Sequence, residues 1–535
     1  MNMHLKELST AVTAGLMTRR EFVARAAALG VTAAAANSML AGTASADAHA
    51  KPVAGGTFRM GVQGGESTNT QDPASWASDV PIAIGRLWGE PLVEVTADGS
   101  LSGLVAESWE SSSDAATWTF KIRENCMFSN GSAVTAEDVM KTMERHSNED
   151  SKSGALGIMK GIKGMSTDGM NFTVELDIGN ADLPYLMADY HLMIQPGGGF
   201  DDPTAAIGTG AYTMETFDPG VRASAKRRSD YWGGSQEEVA HYDTIEVIVL
   251  NDATARTAAL QSGQVDAINR VEPKIAKLLD RAPTLGVQNV SGRGHYVFIA
   301  HVDTAPFDNK DLRLALKYAM NRQEMVDKIL QGYGGIGNDM PINAAYPLFD
   351  DTIPQREFSL EKAAEHYKKS GHDGSPIILR TADGAFPGAV DAAALFQQSC
   401  EAAGIPLEIK REPNDGYWSE VWNVQPFCCS YWGGRPVQDQ MYSTAYLSTA
   451  DWNDTRWKRP EFDAMLLEAR AELDEAKRKE IYSKMGRMMN EEGGLILPMF
   501  NDFIDAVSND IQGFKGDPNG PQMNWYAFKK TWKTA

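Results

Sequence analysis

Strand-like and helix-like runs interleave along this chain, and that mixed order restricts its fold more than any other feature. Gly56–Val62 alternates in the manner of a strand, as do Trp118–Ile122, Phe172–Leu176 and Ile245–Leu250. Between and after them, Ala253–Ser262, Lys310–Leu330 and Glu361–Ser370 read as helices, and Pro460 stands where it can start another. Thr135 is placed to cap a helix that carries Asp138 at its third position and Val139, Met140 and Met143 on one face. Phe462, Met465, Leu466 and Ala469 recur at helical spacing, and Ile481, Met485, Met488 and Met489 form a second apolar stripe that reads as core packing. Such a mixture predicts α/β lobes rather than a helical bundle or an all-β sandwich. At 535 residues the chain is long enough for two or three of them.

The N-terminus predicts where the protein works. Thr18-Arg19-Arg20-Glu21-Phe22-Val23 precedes an Ala-rich, mildly apolar run to Leu40 and the small-x-small site Ala44-Ser45-Ala46. Residues 1–46 therefore resemble a twin-arginine signal peptide, with cleavage expected after Ala46 or Ala50. The run is too short and too rich in alanine for a membrane anchor, and no cysteine lies near for lipid attachment. A mature, exported, periplasmic protein is expected, without a lipid anchor.

Charge removes other classes. The formal charge is -21, and the leader's four basic and two acidic residues make the mature chain more negative still, which disfavours nucleic acid and anionic lipid as partners. Cys126, Cys400, Cys428 and Cys429 fit no zinc spacing, leaving either a bridge among them or buried free thiols. The chain has no Gly-x-Ser-x-Gly elbow, no His-Glu-x-x-His pair and no P-loop, and His366 and His372 are wrongly spaced to share a metal on one helical face. No catalytic residue, metal or cofactor is expected.

Several segments, in order along nearly the whole mature chain, resemble the extracellular solute-binding proteins of family 5, the dipeptide, oligopeptide and nickel receptors of ABC importers. They are Glu90-Pro91-Leu92-Val93-Glu94, Gly103–Trp109, Trp118–Arg123, Phe128-Ser129-Asn130-Gly131, Thr135–Val139, Gly208–Tyr212, Asp230–Gly234, Ala259–Asp266, Pro306–Asn309 and Arg313–Arg322. The resemblance implies a type II-like periplasmic binding protein with two lobes around a hinge and an inserted third lobe. Residues 47–96, 208–299 and 499–535 would share one discontinuous lobe, 97–207 would be the insert, and 300–498 the lobe opposing it across the cleft. Crossing segments near Val297–Val302 and Leu497–Asn501 would hinge, and closure would enclose the ligand. The expected partners are a small peptide-like or other organic solute and the permease of an ABC importer, with the protein a monomer. An exported hydrolase on the same scaffold is the competing class, and a receptor serving a chemosensor would use the same fold.

Site residues follow from the same resemblance. Cys428–Pro436 lies where peptide-binding relatives carry a strand and a ligand-contacting loop, so Tyr431, Trp432 and Arg435 are candidates. In those relatives an aspartate in the loop meets the ligand ammonium. Here Gly434 falls at that position and Arg435 follows, which favours a carboxylate ligand, while Asp439 restores an ammonium site if the loop is shaped differently. On the facing wall, Arg293-Gly294-His295 matches a crossing strand, and strict alternation points Arg293 and His295 the same way. Glu66 and Asn69, in the polar loop after the first strand, complete the candidate set.

Overall fold

Eleven strands join into one mixed sheet that both halves of the structure share. In chain order they are β1 (Thr57–Val62), β2 (Tyr212–Asp218), β3 (Arg222–Arg227), β4 (Thr244–Val249), β5 (Ala267–Ile268), β6 (Leu285–Ala300), β7 (Gly334–Ile336), β8 (Ile377–Thr381), β9 (Leu407–Arg411), β10 (Phe427–Trp432) and β11 (Leu495–Ser508). The computed structural model describes residues 52–148, 151–159, 161–472 and 474–534, so the leader expected over 1–46 lies outside the described residues. The sheet order is β9-β8-β10-β6-β11-β5-β1-β4-β3-β2, with β7 added on β11. Parallel pairs flank β1, as they do β8, whereas β6 and β11 run antiparallel through the middle.

The two central strands differ from the rest in length. β6 has 16 residues and β11 has 14, and each pairs with β5 or β10 as well as with the other. Their ladder is continuous from Leu285–Ser508 to Ser291–Asp502, then resumes at His295–Phe500. Gly292, Arg293 and Gly294 therefore stand opposite the single residue Asn501, a bulge that bends the strand and breaks its alternation. A Cβ at Gly292 would meet the Pro518 carbonyl oxygen at 2.6 Å, so the C-terminal tail closes directly onto the bulge.

Apolar burial follows the sheet. Tyr296–Ala300 packs with Phe396, Phe427, Leu466 and Met485 in one cluster, and Phe58, Met60, Trp88 and Tyr242 centre a second. A third cluster lies under a separate four-stranded sheet, Ala106–Ser111, Thr117–Ile122, Ile162–Asp168 and Asn171–Leu176. The helix Ala136–Ser147 adds Val139 and Met143 to that cluster, and Thr135 and Asp138 cap it reciprocally: Asp138 N–H donates to Thr135 Oγ1 at 3.2 Å and Thr135 N–H to Asp138 Oδ2 at 2.9 Å.

One helix expected from the sequence is two. Lys310–Leu330 breaks into Lys310–Tyr318 and Arg322–Lys328, because Asn321 accepts from the Glu324 N–H and starts a new N-terminus. All four cysteines are buried free thiols, so the alternative of a bridge among them is not realised.

Candidate ligand-binding site

The β6 bulge, the end of β10 and the C-terminal tail surround a cavity of about 1090 Å³, its mouth included. Each wall has a local origin. On the helix Asp79–Trp88, Asp79, Ile82 and Arg86 recur at helical spacing and present one face to the cavity. Tyr431 and Trp432 end β10, and Gly433–Pro436 turns away from it along the cavity. Trp418 and Trp422 come from the turn around Tyr417–Val421, and Trp452 joins them.

These tryptophans are fixed from behind. Trp422 and Trp432 both donate their indole N–H to Asp454 Oδ2, at 3.0 and 3.1 Å, and Trp452 packs on both rings at 5.4 and 6.0 Å between centroids. Asp454 is fully buried, and burial pushes its carboxyl up to about 7 against the opposing pull of the two indoles. The wall is thus a rigid aromatic surface on a buried acid.

Arg435 sits where this wall meets Asp189 and Tyr190. It is 8% exposed, its Nη1 donates to its own Gly434 carbonyl at 2.7 Å, and its Nε lies 3.8 Å from Asp189 Oδ2. Its guanidinium carbon stands 5.6 Å from the Tyr190 ring centroid and 5.8 Å from that of Trp432. Nε and Nη2 complete no hydrogen bond of normal geometry, although the Tyr190 hydroxyl acts on the guanidinium as a hydrogen-bonding partner. Burial works against its charge, but Tyr190 and Asp189 outweigh burial and keep it cationic. Asp189 is tied to His191 Nδ1 at 2.5 Å; burial raises its carboxyl, and His191 and Arg435 more than reverse that.

Arg293 reaches the cavity because it occupies the bulge. Its Nε donates to Ala345 O at 3.1 Å and its Nη1 to Asn519 Oδ1 at 3.0 Å. His295, the first residue after the bulge, is wholly buried, donates its Nδ1–H to the Arg293 carbonyl at 3.1 Å, and packs edge-on against Phe500. The shared direction that alternation predicts for Arg293 and His295 is lost to the bulge, and only Arg293 lines the cavity. Burial also pushes the His295 imidazole down to about 4.

The remaining candidates lie off the cavity. Asp439 is buried in the helix Gln438–Ala445, paired with Arg470 Nε at 2.6 Å and contacted by Asn180. Glu66 is buried too, and its Oε1 accepts the Trp418 N–H at 2.7 Å while its Oε2 accepts from Thr68. Asn69 holds that loop from within by accepting the Glu66 N–H at 2.8 Å. Of the eight candidates, Tyr431, Trp432, Arg435 and Arg293 line the cavity.

Sequence reasoning missed Asp79, Arg86, Asp189, Tyr190 and the tail residues Asn524, Trp525 and Tyr526, all of which line it. The tail is unusual: Gln522, Met523, Asn524 and Trp525 are four consecutive non-glycine residues with φ between 51° and 64°. Asp505 Oδ2 accepts the Gln522 N–H at 2.6 Å, and the Gln522 side chain donates to Ile268 O at 2.9 Å, which fixes the left-handed turn. Only helical periodicity, placing Arg86 on the face of Asp79, offered a signal for any of these.

Among the described residues no group of three or more His, Cys, Asp or Glu could hold a metal, and no helix is long and apolar enough to cross a membrane.

Comparison with known proteins agrees with the fold. Residues 100–454 match the bacterial extracellular solute-binding proteins, family 5 Middle. The nickel-binding protein NikA of Staphylococcus aureus is 23% identical over 461 residues, covering 84% of this chain and 90% of its own. Di/tripeptide-binding protein 1 of Pseudomonas aeruginosa is 25% identical over 457 residues, covering 78% and 84%. The solved structure of AgaA from A. tumefaciens, in complex with agropinic acid, superposes with a TM-score of 0.82 at 22% identity, covering 90% of this chain and 99% of that one.

Proposed function

We propose, from the premise that this chain belongs to the bacterial extracellular solute-binding proteins of family 5, that it is a periplasmic receptor which encloses a small organic solute and delivers it to an ABC importer. Family members are binding proteins, and we read this one as non-enzymatic, monomeric and exported through the leader at 1–46.

In this reading, 47–96, 208–299 and 499–535 form one lobe, 97–207 the insert and 300–498 the opposing lobe. The paired strands β6 and β11 carry the relative motion of the lobes, as two adjacent strands that cross together can twist as one ribbon. Glu66 with Trp418, and Ser67 with Asp415, join the first lobe to the opposing one and favour the closed form.

The observation that carries the reading is Arg435, a buried guanidinium whose Nε and Nη2 complete no hydrogen bond of normal geometry, on the wall of an aromatic-lined cavity. It favours a solute with a carboxylate, whether a modified peptide, an amino-acid conjugate or another organic acid. The test is mass spectrometry of the small molecule released on denaturing the purified mature protein, followed by calorimetric titration of that molecule. A stoichiometric carboxylate that rebinds supports the reading; turnover of the released molecule by the intact protein overturns it in favour of an exported hydrolase.

A further inference from the structure

We infer that the solute is a carboxylate that carries no ammonium group, any nitrogen in it being acylated or otherwise uncharged. This deepens the receptor reading and rests on it.

A protein recognises an ammonium group with a carboxylate, with the face of an aromatic ring or with uncharged oxygen acceptors, of which Gln440 Oε1 is one on this cavity; carboxylates and ring faces are the partners that select a charged over an uncharged nitrogen. Three carboxylates line the main cavity, and each already has a cationic or hydrogen-bonding partner from the protein. Asp79 Oδ2 receives Arg270 Nε at 2.5 Å and Asn269 Nδ2 at 2.9 Å, and its Oδ1 receives the Tyr431 hydroxyl at 3.3 Å. Asp189 is engaged by His191 through Oδ1 and by Gln440 through Oδ2 at 3.1 Å, with Arg435 beyond. Glu94 faces Lys530 Nζ at 3.4 Å.

The faces of Tyr431, Tyr526, Tyr190 and Trp432 are taken in the same way, whereas those of Tyr185 and Trp525 carry no such partner among the described residues. The Arg270 guanidinium lies 3.6 Å from the Tyr431 centroid, Arg86 lies 4.8 Å from that of Tyr526, and Arg435 covers Tyr190 and Trp432. Trp418, Trp422 and Trp452 pack edge-on within the wall. Asp439, the acid that would restore an ammonium site, is sealed behind the cavity with Arg470.

Cations on the cavity are less well matched. Among the described residues Arg86 donates only to the Tyr526 hydroxyl, its Nε makes no hydrogen bond, and no carboxylate lies within ion-pair distance of Arg86 or Arg293. Asp517 acts on Arg293 from farther away, and Arg435 holds Asp189 only loosely. A solute bringing a carboxylate completes these groups. One bringing an ammonium finds the three carboxylates already partnered and shares the cavity with three arginines, which disfavours free amines.

The test uses the purified mature protein and a matched pair of probes, one dipeptide with a free N-terminus and the same dipeptide N-acetylated, titrated calorimetrically beside mass spectrometry of the molecule the protein releases. The expected result is an amine-free carboxylate released and the acetylated member bound at least about tenfold tighter. A released molecule with a protonated amine, or a free dipeptide bound as tightly as its acetylated partner, overturns the inference while leaving the receptor reading intact. A protein that releases nothing and binds neither probe refutes the receptor reading, and the inference falls with it.

Discussion

Arg293 packs so closely on Gly434 that it leaves no room for a side chain there. Gly434 has φ 83°, and a Cβ there would run into the Arg293 Cβ and stand 2.8 Å from the Arg293 backbone carbon and oxygen. The loop after β10 is therefore built around the bulge of β6, and position 434 has no room for a carboxylate side chain in this backbone.

Gly434→Asp is accordingly expected to destabilise the protein instead of conferring peptide binding. Left-handed backbone at a non-glycine residue costs about 1–2 kcal/mol and overpacking a further 1–3 kcal/mol. Urea denaturation should show a lower midpoint with an unchanged slope. Wild-type stability combined with new affinity for free peptides would show that the loop re-forms around the acid.

Arg435→Ala should weaken binding of the released carboxylate by roughly 2–5 kcal/mol, the range for stranding one member of a buried charge pair. Arg435→Lys should recover only part of this, because a point charge cannot reproduce the planar fork. Calorimetric titration of both variants reads the difference, and equal affinities across wild type and Ala would remove Arg435 from the site.

Asp454 supplies a pH dependence with a definite sign. Its carboxyl is raised by burial to about 7 in the folded protein, above its ordinary value of 3.8, so between these pH values the folded state holds the extra proton. Its contribution to stability is complete below the unfolded value and is lost as pH rises through about 7. Asp454→Asn should therefore gain stability relative to wild type as pH is raised from 5 to 8, and denaturation at those two pH values measures it. A constant gap between the two proteins would mean that the carboxyl titrates normally.

Glu66 lies off the cavity but holds the cavity residue Trp418, and in the proposed closed form it ties the two lobes. Removing its acceptor leaves the Trp418 N–H unpaired, so Glu66→Ala should weaken ligand binding by about 1–3 kcal/mol, the cost of an unsatisfied buried group. Small-angle scattering should show the ligand-bound variant more expanded than bound wild type. An unchanged affinity and radius would confine Glu66 to holding its own loop.

Local patterns in the sequence reached most elements but few of the cavity residues. The strands at Thr57–Val62, Thr117–Ile122, Asn171–Leu176 and Thr244–Val249 and the capped helix at Ala136–Ser147 follow from alternation and capping, which are local properties. Tyr431, Trp432 and Arg435 were found because they share one short segment with a family resemblance. Asp189 and Tyr526 were not, because what makes them part of a site is their meeting with Arg435 and Arg86 across long stretches of chain. Arg293 and His295 mark the limit of periodicity: three residues facing one at the bulge cancel the alternation on which their shared direction depended. Asp439 shows the limit of proximity in sequence, since one helical turn beyond the loop already lies behind the wall.

The left-handed turn at Gln522–Trp525 makes the cavity and the core depend on the same few residues. Asn524, Trp525 and Tyr526 line the cavity, while Trp525, Ala527 and Phe528 pack in the cluster around Phe58 and Tyr242. A substitution that unwinds the turn therefore changes stability and ligand capture together, and neither can be tuned there alone.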